Sequence, residues 1–287
     1  MKTFFLGLSL VAALSFRATA QVDVTLALDQ EQFLPAETIP LAVKITNRSG
    51  QPLHLGADAA WLTFDVESSD SLVVNKFAEV PVTGEFDLES SQMATKHVDL
   101  QPYFSVGRPG RYKITATLHI PNWSKPVNGG PKYFDVVNGA MLWTQDFGLP
   151  TAGGDPEVRK FTLEQANYLR SQLRLYVRLS DATDERVFKV AALGPMVSFG
   201  HPEAQVDRES HLHVLWQGGA RMFNYCLVNP DGTVAQQETY DYYNTRPRLA
   251  VNETGGVSVV GGVRRPKSAE IPLVKAPNAL PNAPVKP

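Results

Sequence analysis

The sequence predicts an all-β protein of two units, each built from antiparallel strands. Three observations carry this. Apolar and polar residues alternate at a period of two in short runs, as in Val22, Val24, Leu26 and Leu28 against Asp23, Thr25 and Ala27. Turn clusters such as Asn47-Arg48-Ser49-Gly50-Gln51-Pro52 separate the runs. A repeat with an offset of 45 residues occupies the second half.

Taken in order, residues 1–20 read as an export signal. Lys2 supplies a positive start, Phe4 to Phe16 is almost wholly apolar, and Ala18-Thr19-Ala20 is a small-x-small cleavage site before Gln21. The apolar run is too short for a membrane span. The expected address is periplasmic or extracellular, with no transmembrane helix once the leader is removed.

Residues 21–138 form the first predicted unit. Its strands are Val22–Leu28, Ile39–Asn47, Leu62–Val66, Met93–Leu100, Arg111–Ile120 and Tyr133–Val137. In the strongest of them Tyr112, Ile114, Ala116 and Leu118 share one face. Short strands separated by turns over ~100 residues predict a β-sandwich.

Residues 139–265 form the second. The Gly/Pro stretch Gly148–Pro156 has no periodicity and reads as a boundary, linker or large loop, with Ala140–Trp143 assignable to either side. Thr162 to Ser171 is expected to make one or two helical turns, with Leu163, Ala166 and Leu169 on the apolar side. Leu173, Leu175, Val177 and Leu179, the turn Asp181–Glu185, and Val187–Val190 predict a hairpin. Two segments then match with the same 45-residue offset at every matched position. Pro202–Asp207 with Leu212–Leu215 corresponds to Pro247–Asn252 with Val257–Val260. Each is Pro-x-x-x-Val-Asp/Asn, a polar turn and an apolar strand. Asn229-Pro230-Asp231-Gly232 between them is a hairpin turn. Residues 266–287, punctuated by prolines, are expected to be a disordered tail.

Two resemblances follow from these residues. Phe33–Glu37 with Ile39–Asn47, and Gly107-Arg108-Pro109-Gly110-Arg111-Tyr112, resemble the opening hairpin and the late Pro-Gly-x-Tyr strand entry of bacterial immunoglobulin-like domains. Such modules recur in macroglobulin-type and secreted protease-inhibitor-like proteins. The resemblance implies an immunoglobulin-like sandwich, with the Tyr112 hydroxyl returned to nearby backbone as in a tyrosine corner. The 45-residue repeat resembles a β-propeller blade. About 125 residues hold too few such units to close a propeller, so an open sheet or fragment is expected, with a partner strand or second copy possible at its edge.

Composition narrows the function classes. The charge is −2 for the chain and near −4 without Lys2 and Arg17, and no basic run points to nucleic acid. Cys226 is the single cysteine, so no disulfide framework exists. Its apolar strand, Met222–Val228, reads as core. No Gly-x-Ser-x-Gly elbow, phosphate loop or dinucleotide fingerprint is present.

The remaining candidates are constellations of side chains. His211-x-His213 places two imidazoles on one side of a strand; they are the only metal-ligand candidates, with Glu209 or Asp207 as a third, though neither metal nor cofactor is expected. Tyr240, Tyr242 and Tyr243 bracket Asp241, with Trp216 and Tyr225 as possible neighbours in a sugar- or peptide-binding surface. The sequence thus predicts a non-enzymatic exported binding or scaffold module for a protein or glycan of the cell envelope. Two alternatives stay open: a protease inhibitor acting through residues Glu79 to Glu85, and a glycan-active enzyme using acids such as Asp207 and Glu209.

Overall fold

A computed structural model describes residues 21–70, 73–150, 154 and 156–266. The export signal and nearly all of the Pro-rich tail lie outside the described residues. The chain is all-β and divides into two compact units, one ending at Val137 and the other beginning at Asn138. No closed barrel or propeller forms among the described residues.

Among the described residues the first unit contains nine strands: β1 (Val22–Leu28), β2 (Gln32–Phe33), β3 (Pro40–Asn47), β4 (Leu53–Leu55), β5 (Leu62–Ser68), β6 (Phe86–Leu88), β7 (Met93–Asp99), β8 (Gly110–Leu118) and β9 (Val127–Val136). They form a three-stranded sheet in the order β1-β3-β7, a four-stranded sheet β2-β9-β8-β5 and a small pair β4-β6. The alternation in the sequence sets the inner faces. Leu41, Val43 and Ile45 of β3 meet Tyr112, Ile114, Ala116 and Leu118 of β8 in one core, all of them at most 1% exposed. Gly129 lets β9 pass close to β1, because a Cβ there would lie 2.4 Å from Val24 Cγ1. The Tyr112 hydroxyl donates to the Arg108 carbonyl at 2.7 Å, as the sequence predicts. Asn47 ends β3 and organises the turn. Its amide donates to the Gln51 and Leu88 carbonyls, and its Oδ1 accepts from the Ser49 N–H.

The second unit contains β10 (Ala140–Leu149), β11 (Glu157–Leu169), β12 (Gln172–Asp181), β13 (Val187–Pro195), β14 (Glu203–Val206), β15 (Leu212–Gln217), β16 (Met222–Val228), β17 (Val234–Asp241), β18 (Arg248–Val251), β19 (Val257–Val260) and β20 (Val263–Arg264). A four-stranded meander β10-β11-β12-β13 faces a five-stranded sheet β14-β15-β16-β17-β20. Phe161, Leu163, Val177, Leu212, Val214 and Trp216 are among the side chains of the core between them. The opposite face of the five-stranded sheet carries Leu215, Phe223 and Tyr225, covered by Leu249 of β18 and Val259 of β19.

Two sequence expectations are corrected here. Thr162–Ser171 is not helical; most of it belongs to β11, the longest strand. Because β11 is central, paired with both β10 and β12, polar residues on it are buried too. Thr162 is 2% exposed and Glu164 pairs with Arg178 at 2.8 Å. Burial on both faces erases the period-two signal and leaves Leu163, Ala166 and Leu169 at a helix-like spacing. The Gly148–Pro156 stretch is not a boundary between units. It connects β10 to β11 within the second unit, whose first strand includes Ala140–Trp143.

The repeat has a structural counterpart. Its copies are the hairpins β14–β15 and β18–β19, with Glu203 opposite Leu215 and Arg248 opposite Val260, the same register 45 residues on. Three turns of the unit share one pattern. At Asp207, Asn229 and Asn252 the backbone N–H donates to the carbonyl four residues on, and the carbonyl accepts from the N–H three residues on. The residue at that third position has positive φ: Ser210 at 65°, Gly232 at 79° and Gly255 at 82°.

Candidate functional site

The five-stranded sheet separates the aromatic and acidic candidates into two groups, one on each face. The register pairs Trp216 with Asn224, and Leu215 with Tyr225. It pairs Tyr225 with Glu238, Asn224 with Thr239, and Cys226 with Gln237. Side chains directly opposite share a face, so Trp216, Asn224, Cys226, Gln237 and Thr239 look one way. Tyr225, Glu238 and Tyr240 look the other. The proposed cluster of Trp216, Tyr225, Tyr240, Asp241, Tyr242 and Tyr243 is therefore not one surface. Tyr242 and Tyr243 lie beyond the end of β17 and are 39% and 72% exposed.

On the Trp216 face lies a cleft of 520 Å³. Its lining includes Trp216, Asn224, Gln237, Thr239 and Arg265, with Cys226 at its base. Trp216 is 2% exposed and its indole N–H donates to the Pro195 carbonyl at 3.0 Å, so it supports the floor. Arg265 closes one side through an ion pair with Asp241 at 2.6 Å. The Cys226 thiol is pushed up to about 12 by burial, only partly offset by a hydrogen bond with Gln237, and is therefore a protonated thiol at neutral pH. Arg264 and Glu238, paired at 2.8 Å, also line it, so the cleft offers amide and hydroxyl groups plus two paired guanidiniums and a paired carboxylate, at a size suited to a small ligand. Asn224, Gln237 and Thr239 carried no sequence signal, because their membership depends on strand register.

On the other face a chain of polar contacts runs inward from the Asp207 turn. Asp207 Oδ1 accepts the backbone N–H groups of Glu209 at 2.9 Å and His211 at 2.8 Å. Its Oδ2 meets His211 Nδ1 and His213 Nε2, each at 3.2 Å. His213, 6% exposed, continues to the Tyr225 hydroxyl through Nδ1 at 2.9 Å. With Nε2–H donating to the carboxylate, Nδ1 accepts the tyrosine proton, so every ring nitrogen is satisfied in the neutral form. Burial pushes the Asp207 carboxyl up, but the His211 N–H, the rings of His213 and His211 and the Glu209 N–H outweigh it and hold it below its ordinary value. Burial, with the nearby Glu238 charge second, pushes the Tyr225 hydroxyl up to about 12. Glu238 itself accepts from the Tyr240 hydroxyl at 2.6 Å and from Arg264 Nε at 2.8 Å.

The structure therefore brings His211 and His213 together around Asp207. Ligand atoms of Asp207, Glu209 and His211 lie within 4.8 Å of one another, a set of metal-binding type. All four contacts accepted by Asp207 already serve the turn and the imidazoles. Asp207 and Glu209 sit two residues apart on that turn and do not line the cleft, so they do not form a pair of acids flanking one bond there. In the first unit, residues 79–85 alternate between anchored and exposed positions, with Glu79, Pro81, Thr83, Gly84 and Glu85 exposed. Val80 and Val82 are buried, the Trp61 indole donates to the Val82 carbonyl at 2.9 Å, and Lys96 Nζ donates to the Gly84 carbonyl at 3.3 Å.

No family model matches the chain, and no curated protein matches it. Among solved structures, the sporulation control protein Spo0M from Bacillus subtilis is similar over 61% of this chain and 91% of its own, at 9% identity and a TM-score of 0.29. The YadV chaperone is similar over 85% of this chain and 100% of its own, at 10% identity and a TM-score of 0.25. Likeness at this level carries no inference about either unit. No helix among the described residues is long and apolar enough to cross a membrane.

Proposed function

We propose that this chain is an exported, non-enzymatic binding or scaffold module of the cell envelope. In this reading the first unit is an immunoglobulin-like sandwich and the second an open, propeller-blade-like fragment that carries the ligand site. The ligand is a neutral polar segment of an envelope glycan or protein, held in the cleft beneath Asn224, Gln237 and Thr239. The observation that carries the reading is the chemistry of that cleft: two amides, a hydroxyl and a protonated thiol, with its two arginines already paired, Arg265 to Asp241 and Arg264 to Glu238, which also lines it. Such groups orient a ligand through directional hydrogen bonds but supply no free acid, base or thiolate.

The test is retention of envelope glycan and peptide fractions on the immobilised chain, compared with Thr239→Trp, whose indole obstructs the cleft. The reading expects a retained fraction that the variant releases and whose mass is unchanged after incubation. Equal retention by both proteins, or conversion of the retained molecule to a product, would overturn it.

A further inference from the structure

The two copies of the repeat meet at a second depression, of 850 Å³, distinct from the cleft. Its walls are His201, Pro202 and Glu203, which lead into β14, and the equivalent Arg246 and Arg248 at the start of β18, together with Thr245, Val260 and Gly261. The same backbone pattern thus presents Glu203 on one side and Arg248 on the other. Glu203 is committed to the fold, since its Oε2 accepts the Leu249 N–H at 2.7 Å. Its Oε1 has no protein partner among the described residues.

Arg159, Arg178, Arg264 and Arg265 each pair with a carboxylate. Arg246 and Arg248 have no acidic partner among the described residues. The Arg246 guanidinium lies 5.3 Å from the centroid of the buried Phe223 ring, which fixes its position without neutralising it. The backbone beneath is pinned as well. The Gly262 N–H donates to the Thr245 carbonyl at 3.0 Å and to its hydroxyl at 3.1 Å. Its two arginines and one glutamate give the depression one excess positive charge.

We propose that this depression binds a small organic anion through its carboxylate. The guanidinium forks of Arg246 and Arg248 take the two carboxylate oxygens, and Glu203 Oε1 accepts a hydroxyl on the neighbouring carbon. One excess charge suits a monocarboxylate better than a phosphate dianion, and planar forks match a planar carboxylate. The volume accommodates a larger molecule that ends in this group.

The probe is sodium lactate, titrated into the full chain carrying ¹⁵N-labelled arginine, with sodium chloride at matched ionic strength and sodium phosphate as separate arms. The expected result is a saturable shift of the Arg246 and Arg248 Nε–H resonances with lactate alone. Affinity should fall at least about tenfold in Arg248→Gln, an exposed position, and stay unchanged in Arg221→Gln. Should Arg248→Gln not fold, Arg248→Lys keeps the charge but not the fork and should still weaken binding. A linear shift equal to that in chloride, tighter binding of phosphate than of lactate, or saturation undiminished in the Arg248 variant would overturn the proposal.

Discussion

The Asp207 turn offers an internal control that few proteins provide, because the repeat places Asn252 in the same turn without histidines. Asp207 accepts two backbone N–H groups and two imidazoles. Asn252 Oδ1 accepts the N–H groups of Thr254 at 3.1 Å and Gly256 at 2.7 Å and no imidazole. Asn252→Ala should therefore cost about 1 kcal/mol, the worth of an exposed side-chain-to-backbone turn. Asp207→Ala loses the same turn and also leaves the buried His213 Nε2 unpaired, adding about 2 kcal/mol for a buried group stripped of its charged partner. Asp207→Asn keeps the turn and should fall between the two. The assay is labelling of Cys226 by a thiol reagent in moderate urea. This cysteine is the only one in the chain and is 1% exposed, so its labelling reports opening of the second unit alone. A difference of ~2 kcal/mol is roughly a 30-fold faster labelling of Asp207→Ala than of Asn252→Ala. Equal rates for the two variants would refute the claim that the carboxylate anchors the histidines.

Other consequences follow from the same contacts. Since the Asp207 carboxyl is held below its ordinary value, its stabilisation is present above the unfolded pKa and is lost as the pH falls through the folded one; Asp207→Asn should flatten the acid limb of the Cys226 labelling profile. Tyr225→Phe removes the hydroxyl that satisfies His213 Nδ1 and should cost ~1 kcal/mol in the same assay. In the first unit, Tyr112→Phe loses the hydrogen bond to Arg108 and should lower the urea midpoint of that unit by about 1 kcal/mol equivalent, with the second unit unchanged. His54 is raised by its hydrogen bonds to Asp87 and Glu85, so its tie across β4 and β6 is complete at low pH and fades as the pH rises through the elevated value; ring-proton NMR should show the titration moving down in Glu85→Gln.

Much of the architecture is legible in local sequence. Tyr112, Ile114, Ala116 and Leu118 alternate because β8 has one face on the core, and the Pro109-Gly110 turn precedes Tyr112 where its hydroxyl can reach back. The repeat is readable because Pro202 and Pro247 precede equivalent strands and Asp207 and Asn252 open equivalent turns. What failed did so where pairing, not composition, decides. β11 is buried on both faces and loses its alternation. The candidate site depends on which face of the sheet a residue takes, and that is fixed by the β15–β16 register. The Gly218–Arg221 turn sets that register. There the Gly218 and Gly219 N–H groups both donate to the Met222 carbonyl. Without that register, Trp216 and Tyr225 look like neighbours; with it, a sheet lies between them.

The claim on which the function rests is that a ligand occupies the cleft lined by Asn224, Gln237 and Thr239. Cys226 at its base makes this directly measurable. A ligand that binds only the folded unit slows Cys226 labelling in proportion to its concentration over its dissociation constant. The retained envelope fraction should therefore slow labelling of the wild-type chain and leave Thr239→Trp unaffected. Labelling slowed equally in both, or in neither, would contradict the account.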